Sequence, residues 1–485
     1  MPPGVTIIGL GPGDPQLLTR EAWQVLAESS EVYLRTARHP VVPSLPIGPH
    51  YSSFDASYED HGTLAEVYEH IAQQVLRLGA RDQGVVYAVP GHPLVGESTV
   101  QRIQQLANES GLPLRLVSGL SLLESFFSAL QIDPLAGFQV CDATILAQKF
   151  HPNLDPDVPA LITQIYDRHL AGELKLTLLN LYPDQHLVKV LHSIGTPLVQ
   201  VEDLALFQLD RLEKLDHLTS VFIPALAQPG SLASHQDVVA RLRSPGGCPW
   251  DREQTHQSLR TSLLEETYEV LDALDADDMG RLREELGDLL LQIMLHAQIA
   301  TEEGDFKLVE TVQANIKKLI RRHPHVFGNM VVNGSDDVLR NWEQIKRQER
   351  GDQEKSLLDG ISRALPALLQ AMEIQRRVAR VGFDWPNAEQ VMDKVLEELD
   401  EWRAAANPKE RTNELGDLLF SLVNLARWYE LDAESSLRQT NQRFTRRFAT
   451  MERQAARRGQ ALEKLDALEM DALWEHAKEA EQINE

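Results

Sequence analysis

At 485 residues, 43% hydrophobic and 25% charged, the chain has ordinary globular composition and more length than one core usually supports, so two or three domains are expected. A formal net charge of −25 works against a broad phosphate-tracking surface, so no nucleic acid polymer is expected as partner. No apolar run approaches the roughly 20 residues of a membrane span, the N-terminus lacks a basic leader, and Cys141 and Cys248 are too few for a disulfide framework, so a reduced, cytoplasmic protein with no membrane partner is expected.

Over residues 1–224, short apolar or β-branched runs at 5–10, 84–89, 114–117, 176–181 and 198–202 alternate with helical stretches, which predicts an α/β domain. Three glycine-bearing turns follow predicted strands. Gly9-Leu10-Gly11-Pro12-Gly13-Asp14-Pro15 precedes a helical run over 16–27, Pro90-Gly91-His92-Pro93 follows the second strand, and Ser118-Gly119-Leu120-Ser121 follows the third. Glycine lets a ligand approach the backbone closely, and Asp14 offers an acceptor for a ligand hydroxyl or amine. The spacing is not the G-x-G-x-x-G of a dinucleotide site, which argues against NAD. Gly9, Gly11, Gly13, Asp14, Pro90, Gly91, His92 and Gly119 are expected to rim one cleft.

Residues 225–237, rich in Ala, Ser, Pro and Gly, read as a linker. Beyond them apolar residues recur at three- and four-residue spacing, which predicts helices throughout. Glu285-Leu286-Gly287-Asp288-Leu289-Leu290 returns unchanged as Glu414-Leu415-Gly416-Asp417-Leu418-Leu419, about 129 residues later. A Glu-Glu-x-x-Glu element precedes both copies and a basic, Asn-containing helix follows both, at 315–322 and 441–447. A duplicated helical module is expected, at 238–350 and 351–485.

In the first module Glu266 and Glu269 share one helical face, and Glu285 and Asp288 share another; Glu398, Glu401, Glu414 and Asp417 repeat the plan. Asp288 lies in so apolar a stretch that it is expected in or beside a core, where an unneutralised carboxylate costs several kcal/mol. A divalent cation resolves that cost, and an all-oxygen donor set favours Mg²⁺ or Mn²⁺. Gly287 and Gly416, costly inside helices, predict a close approach of a helix or ligand. Lys318 and Arg322, then Arg443 and Arg447, lie four apart and match a polyphosphate.

Gly246-Gly247-Cys248-Pro249-Trp250-Asp251, Gln254-Thr255-His256, the acidic pairs, residues 321–327 and Val381-Gly382-Phe383-Asp384-Trp385 together resemble the MazG family of nucleoside triphosphate pyrophosphohydrolases, from about residue 238 to the C-terminus. The resemblance implies an all-α, usually dimeric fold that holds Mg²⁺ on these acids for attack of water on the α-phosphorus of a nucleoside triphosphate, with a homodimer formed through the MazG modules. Over residues 4–224 the chain resembles the tetrapyrrole methylases, which implies S-adenosylmethionine on the three glycine turns. Many relatives carry Gly-Asp-Pro where this chain has Gly91-His92-Pro93. The combined expectation is a multidomain protein, an N-terminal α/β tetrapyrrole-methylase-like domain followed by all-α tandem MazG modules. The rival reading is a methyltransferase whose helical half serves dimerisation or nucleotide sensing; retention of both acid quartets speaks against it.

Overall fold

The computed structural model describes residues 3–60, 62–335, 337, 338, 340–342, 345 and 356–482. They divide between two compact units, Met1–Gln254 and Thr255–Glu485. The boundary expected between the two helical modules, at 350/351, lies outside the described residues.

In the first unit, β1 (Val5–Gly9), β2 (Glu31–Leu34), β3 (His50–Ser53), β4 (Val85–Val89) and β5 (Leu114–Val117) form a parallel sheet in the order β3-β2-β4-β1-β5. Every residue of β1 is buried because both faces of the sheet are covered. Ile8 pairs its face with Ala22, Val25 and Leu26 of α1 (Arg20–Glu28), while Val5 and Ile7 pack with Val67, Ile71 and Val75 of α2 (Leu64–Gly79). A second, mixed sheet of β6 (Gln139–Asp142), β7 (Ala160–Thr163), β8 (Leu187–His192), β9 (Gln200–Ala205) and β10 (Ser220–Ile223) runs β6-β7-β10-β8-β9.

Two expectations need correction here. Residues 176–181 are not a strand: α3 (Arg168–Leu178) starts where the Asp167 carboxylate accepts from Leu170 N–H at 2.8 Å, and it buries Leu170, Ala171, Leu174 and Leu178 at helical spacing. The helical run over 16–27 is split, with a single turn at Pro15–Leu17 and α1 beginning only after Thr19, whose hydroxyl accepts from Ala22 N–H. The segment 225–237, expected as a linker, is hydrogen-bonded to the first unit. Leu226 N–H donates to Pro156 O at 2.9 Å, and Asp157 accepts from Gly230 N–H at 2.7 Å, Ser231 N–H at 3.0 Å and the Ser234 hydroxyl at the start of α4 (Leu232–Arg243). Those donors, the Ser234 hydroxyl foremost, pull the Asp157 carboxyl down to about 2.

The second unit is helical: α5 (Arg260–Asp275), α6 (Met279–Glu303), α7 (Leu308–Arg322), α8 (Ala367–Ala379), α9 (Ala388–Ala404), α10 (Pro408–Trp428), α11 (Ala433–Arg457) and α12 (Ala467–Gln482). The acid-bearing helices pack pairwise, α5 on α6 and α9 on α10, as the repeat requires. The two repeats are also joined: Arg438 Nε on α11 donates to Asp275 Oδ2 at 2.9 Å, and Gln442 Nε2 donates to Asp272 Oδ1 at 2.9 Å on α5. No residue of α7 is buried, and its Val309, Val312, Ile316, Leu319 and Ile320 stay 46–54% exposed. Among the described residues no helix is long and apolar enough to cross a membrane.

Candidate functional site

The expected acids converge in both repeats. Ligand oxygens of Glu266, Glu285 and Asp288 lie within 4.8 Å of one another, as do those of Glu398, Glu401 and Glu414. Glu269 adjoins the first group through a side-chain hydrogen bond with Glu266, and the Asp417 charge acts on Glu414 in the second. Burial first, then the charges of Asp288 and Glu269, pushes Glu266 above the ordinary carboxyl range. Desolvation and the charges of Glu401, Asp417 and Glu398 do the same to Glu414.

The burial is distributed differently from expectation. Glu285 and Glu398 are the buried members, at 9% and 6% exposure, whereas Asp288 is exposed and its neighbour Leu286 is 48% exposed. The apolar surroundings read from sequence are only partly covered among the described residues: Leu289, Leu290 and Leu291 are half-buried and Leu286 stays exposed. Gly287 and Gly416 likewise meet nothing within 4 Å of where a Cβ would sit, so among the described residues no helix approaches them.

Each buried carboxylate has one intrahelical cation. Arg281 Nε lies 3.0 Å from Glu285 Oε1, and Lys394 Nζ lies 2.8 Å from Glu398 Oε1. Glu398 Oε2 remains buried with no hydrogen-bond partner. An orphaned carboxylate oxygen among three further acids fits a hard divalent cation, whose ligands are oxygens.

The basic residues are more occupied than their sequence suggests. Lys318 is exposed on α7, and the Arg322 guanidinium lies 5.4 Å from the Trp342 ring centroid. Arg443 donates to Thr440 Oγ1 at 3.0 Å. Arg447 Nε donates to Glu481 Oε2 at 2.6 Å and its guanidinium lies 5.9 Å from the Trp474 ring centroid.

In the first unit the three glycine turns meet at the C-terminal ends of β1, β4 and β5. Gly9, Gly91 and Gly119 approach so closely that a Cβ on Gly9 would lie 2.5 Å from Gly91 O and one on Gly119 2.4 Å from it. Gly11 and Gly91 exchange backbone hydrogen bonds, and Thr19 Oγ1 donates to Ser118 O at 3.0 Å. Gly91, at φ +63°, faces open space, as a ligand-facing backbone requires. Gly13 takes φ +146° beside Thr196. Asp14 Oδ1 accepts from Gln16 N–H at 2.9 Å, and its N–H donates to Gly195 O, so the residue also ties the turn together. His92 Nδ1 accepts from Leu94 N–H at 3.1 Å and braces its own turn after Pro90.

Comparison with known proteins matches this division. Residues 4–210 match the family described as Tetrapyrrole (Corrin/Porphyrin) Methylases and residues 254–327 the MazG nucleotide pyrophosphohydrolase domain. The nucleoside triphosphate pyrophosphohydrolase/pyrophosphatase MazG of Thermotoga maritima is 45% identical over 241 residues, 50% of this chain and 93% of that protein. The chain belongs to the MazG family. Its N-terminal unit is a tetrapyrrole methylase domain, and the same pairing extends over the uncharacterized protein YabN of Bacillus subtilis, 40% identical over 98% of this chain and 99% of that one. A solved uroporphyrin-III-C-methyltransferase from Thermus thermophilus is 22% identical, covering 45% of this chain and 94% of that one at a TM-score of 0.35.

Within the MazG half, sequence reasoning missed Arg281, Lys394, Glu481 and Trp474. The first two carried a readable signal, a cation four residues before a buried Glu. Glu481 and Trp474 reach Arg447 from another helix, and no local spacing announces that.

Proposed function

We propose that the MazG half hydrolyses nucleoside triphosphates to the monophosphate and diphosphate in the cytoplasm, using Mg²⁺ or Mn²⁺ on the acid quartets. The observation that carries this reading is Glu398 Oε2, buried without a partner beside Glu401 and Glu414. Such a cation, when bound, supplies Lewis acidity toward the polyphosphate and the attacking water. Glu398, Glu401, Glu414 and Asp417 hold it, with Glu266, Glu269, Glu285 and Asp288 doing so in the other repeat. Lys318, Arg322, Arg443 and Arg447 engage phosphate oxygens. The nucleoside triphosphate pyrophosphohydrolase name of the Thermotoga relative supports the substrate class.

A crevice rimmed by the glycine turns is assigned to S-adenosylmethionine, with Gly91 as its open backbone position and Gly9, Gly11, Gly13, Asp14, Pro90, His92 and Gly119 shaping it. The half-exposed stripe of α7 is assigned to a homodimer contact, since an amphipathic helix with its apolar face in water lacks the packing that stabilises it.

The test is diphosphate release from a mixed nucleoside triphosphate pool, with and without Mg²⁺, for the wild type, Asp288→Asn, Asp417→Asn and the double variant. Activity is expected to need Mg²⁺ and to vanish in the double variant; full activity there ends the proposal. Calorimetric titration with S-adenosylmethionine tests the crevice, and no heat at millimolar ligand removes it.

A further inference from the structure

The two quartets carry the same four ligand types but different counter-ions. Aligning Glu285 with Glu414 places Arg281 opposite Glu410, and aligning Glu266 with Glu398 places Ser262 opposite Lys394. In the first repeat Arg281 grips Glu285, the buried acid of the second helix. At the corresponding place in the second repeat, Glu410 turns back to accept from Ala406 N–H at 2.9 Å, and its charge raises the Glu414 carboxyl further. Lys394, the cation of the second repeat, is divided between Glu397 at 3.0 Å and Glu398 at 2.8 Å and leaves Glu398 Oε2 buried and unpartnered. Arg283 and Glu284, both exposed, stand where the second repeat has Thr412 and Asn413, while the second repeat's extra cations at this end, Lys409 and Arg411 opposite Gly280 and Leu282, are exposed, and Arg411 Nε donates to Ala405 O at 3.4 Å.

From this asymmetry we infer that Arg281 is a tethered counter-ion that competes with a divalent cation for Glu285, so that the second quartet binds the cation more tightly than the first. The inference rests on the metal reading of the quartets. A guanidinium stays charged at any pH the protein survives and holds a planar fork toward a carboxylate, so it cannot withdraw by losing a proton. A cation entering the first quartet must displace it or share Glu285 with it, whereas at the second it meets an oxygen already stripped of water and of partners. Arg281 is 42% exposed, so solvent screening keeps the penalty modest.

Mn²⁺ titration of the full chain, read by the electron paramagnetic resonance of free Mn²⁺, tests this without recourse to activity. Two affinity classes are expected, the weaker abolished by Asp288→Asn and the tighter by Asp417→Asn. Arg281→Gln should tighten the weaker class roughly tenfold, as expected for removing one unit charge at contact distance in a half-exposed site. Arg281→Glu, which installs the residue type of the second repeat, should tighten it further, and Arg281→Lys should leave it near wild type. A purely structural role would weaken the class in all three variants. If Mn²⁺ binds at both quartets but the weaker class ignores the charge at position 281, or if Asp288→Asn removes the tighter class, the inference falls while the metal reading stands. If no Mn²⁺ binds at millimolar concentration, both fall.

Discussion

Lys394 Nζ lies 2.8 Å from Glu398 Oε1, and the other oxygen of that carboxylate is buried with no partner. Replacing the lysine leaves a buried carboxylate without the ion pair that holds it. Lys394→Ala should therefore cost about 2 kcal/mol in chelator, less than a fully buried pair because the lysine is 29% exposed. Added Mg²⁺ should recover most of that loss by taking the lysine's place. Thermal unfolding with and without Mg²⁺ measures it, and a loss that Mg²⁺ leaves untouched contradicts the placement of a cation beside Glu398.

Arg447 is held by Glu481, which also binds Arg446, and these two arginines hold the Glu481 carboxyl below its ordinary range. For Arg447 to reach a phosphate it must leave that partner. Glu481→Gln weakens the hold and should lower KM for a nucleoside triphosphate by roughly threefold with kcat little changed, the pattern of altered uniform binding. Steady-state kinetics decide it; a raised KM would show that Glu481 presents Arg447 to the substrate.

Burial raises the Glu97 carboxyl to about 7 against the opposing pull of Arg35, 2.8 Å away. Between its ordinary value and 7 the folded state binds the proton that the unfolded chain has lost, so stability falls as pH rises through this window. Glu97→Gln should flatten that part of the pH dependence of the methylase-domain transition in calorimetry. His39, lowered by burial to about 4, acts with the opposite sign, losing stability as pH falls from its ordinary value, so the difference between wild type and variant isolates Glu97. An unchanged slope would contradict the assignment.

Two glycines of the crevice should respond unequally to alanine. A Cβ on Gly119 would meet Gly91 O at 2.4 Å, so Gly119→Ala should cost roughly 3 kcal/mol and remove S-adenosylmethionine binding. Gly91→Ala meets only its φ of +63° and open space, for about 1 to 2 kcal/mol. Denaturation together with calorimetric titration separates the two; equal losses would refute the close approach.

The acid quartets were legible because a three-residue spacing on a helix fixes a shared face, and the duplicated Glu-x-x-Asp element told which faces meet. Their burial was not. Leu286 and Leu289 beside Asp288 look like core in sequence, but a helix face is buried only when another element covers it, and among the described residues Leu286 stays about half exposed. Glycine turns likewise marked the strand ends at Gly9, Gly91 and Gly119. The cap that Asp14 places on Gln16 N–H was not legible, because a carboxylate that caps its own turn and one that waits for a ligand have the same local sequence. The apolar run at 176–181 hid its helix because the deciding signal, the Asp167 cap, lies nine residues upstream of it.

The measurement that bears most directly on the metal-dependent hydrolase is the anomalous scattering of Mn²⁺ in crystals grown with a non-hydrolysable triphosphate. A peak coordinated by Glu398, Glu401, Glu414 and Asp417, with the triphosphate reaching it from the side of Arg443 and Arg447, is the predicted result. Carboxylates splayed into solvent with no peak between them would contradict it.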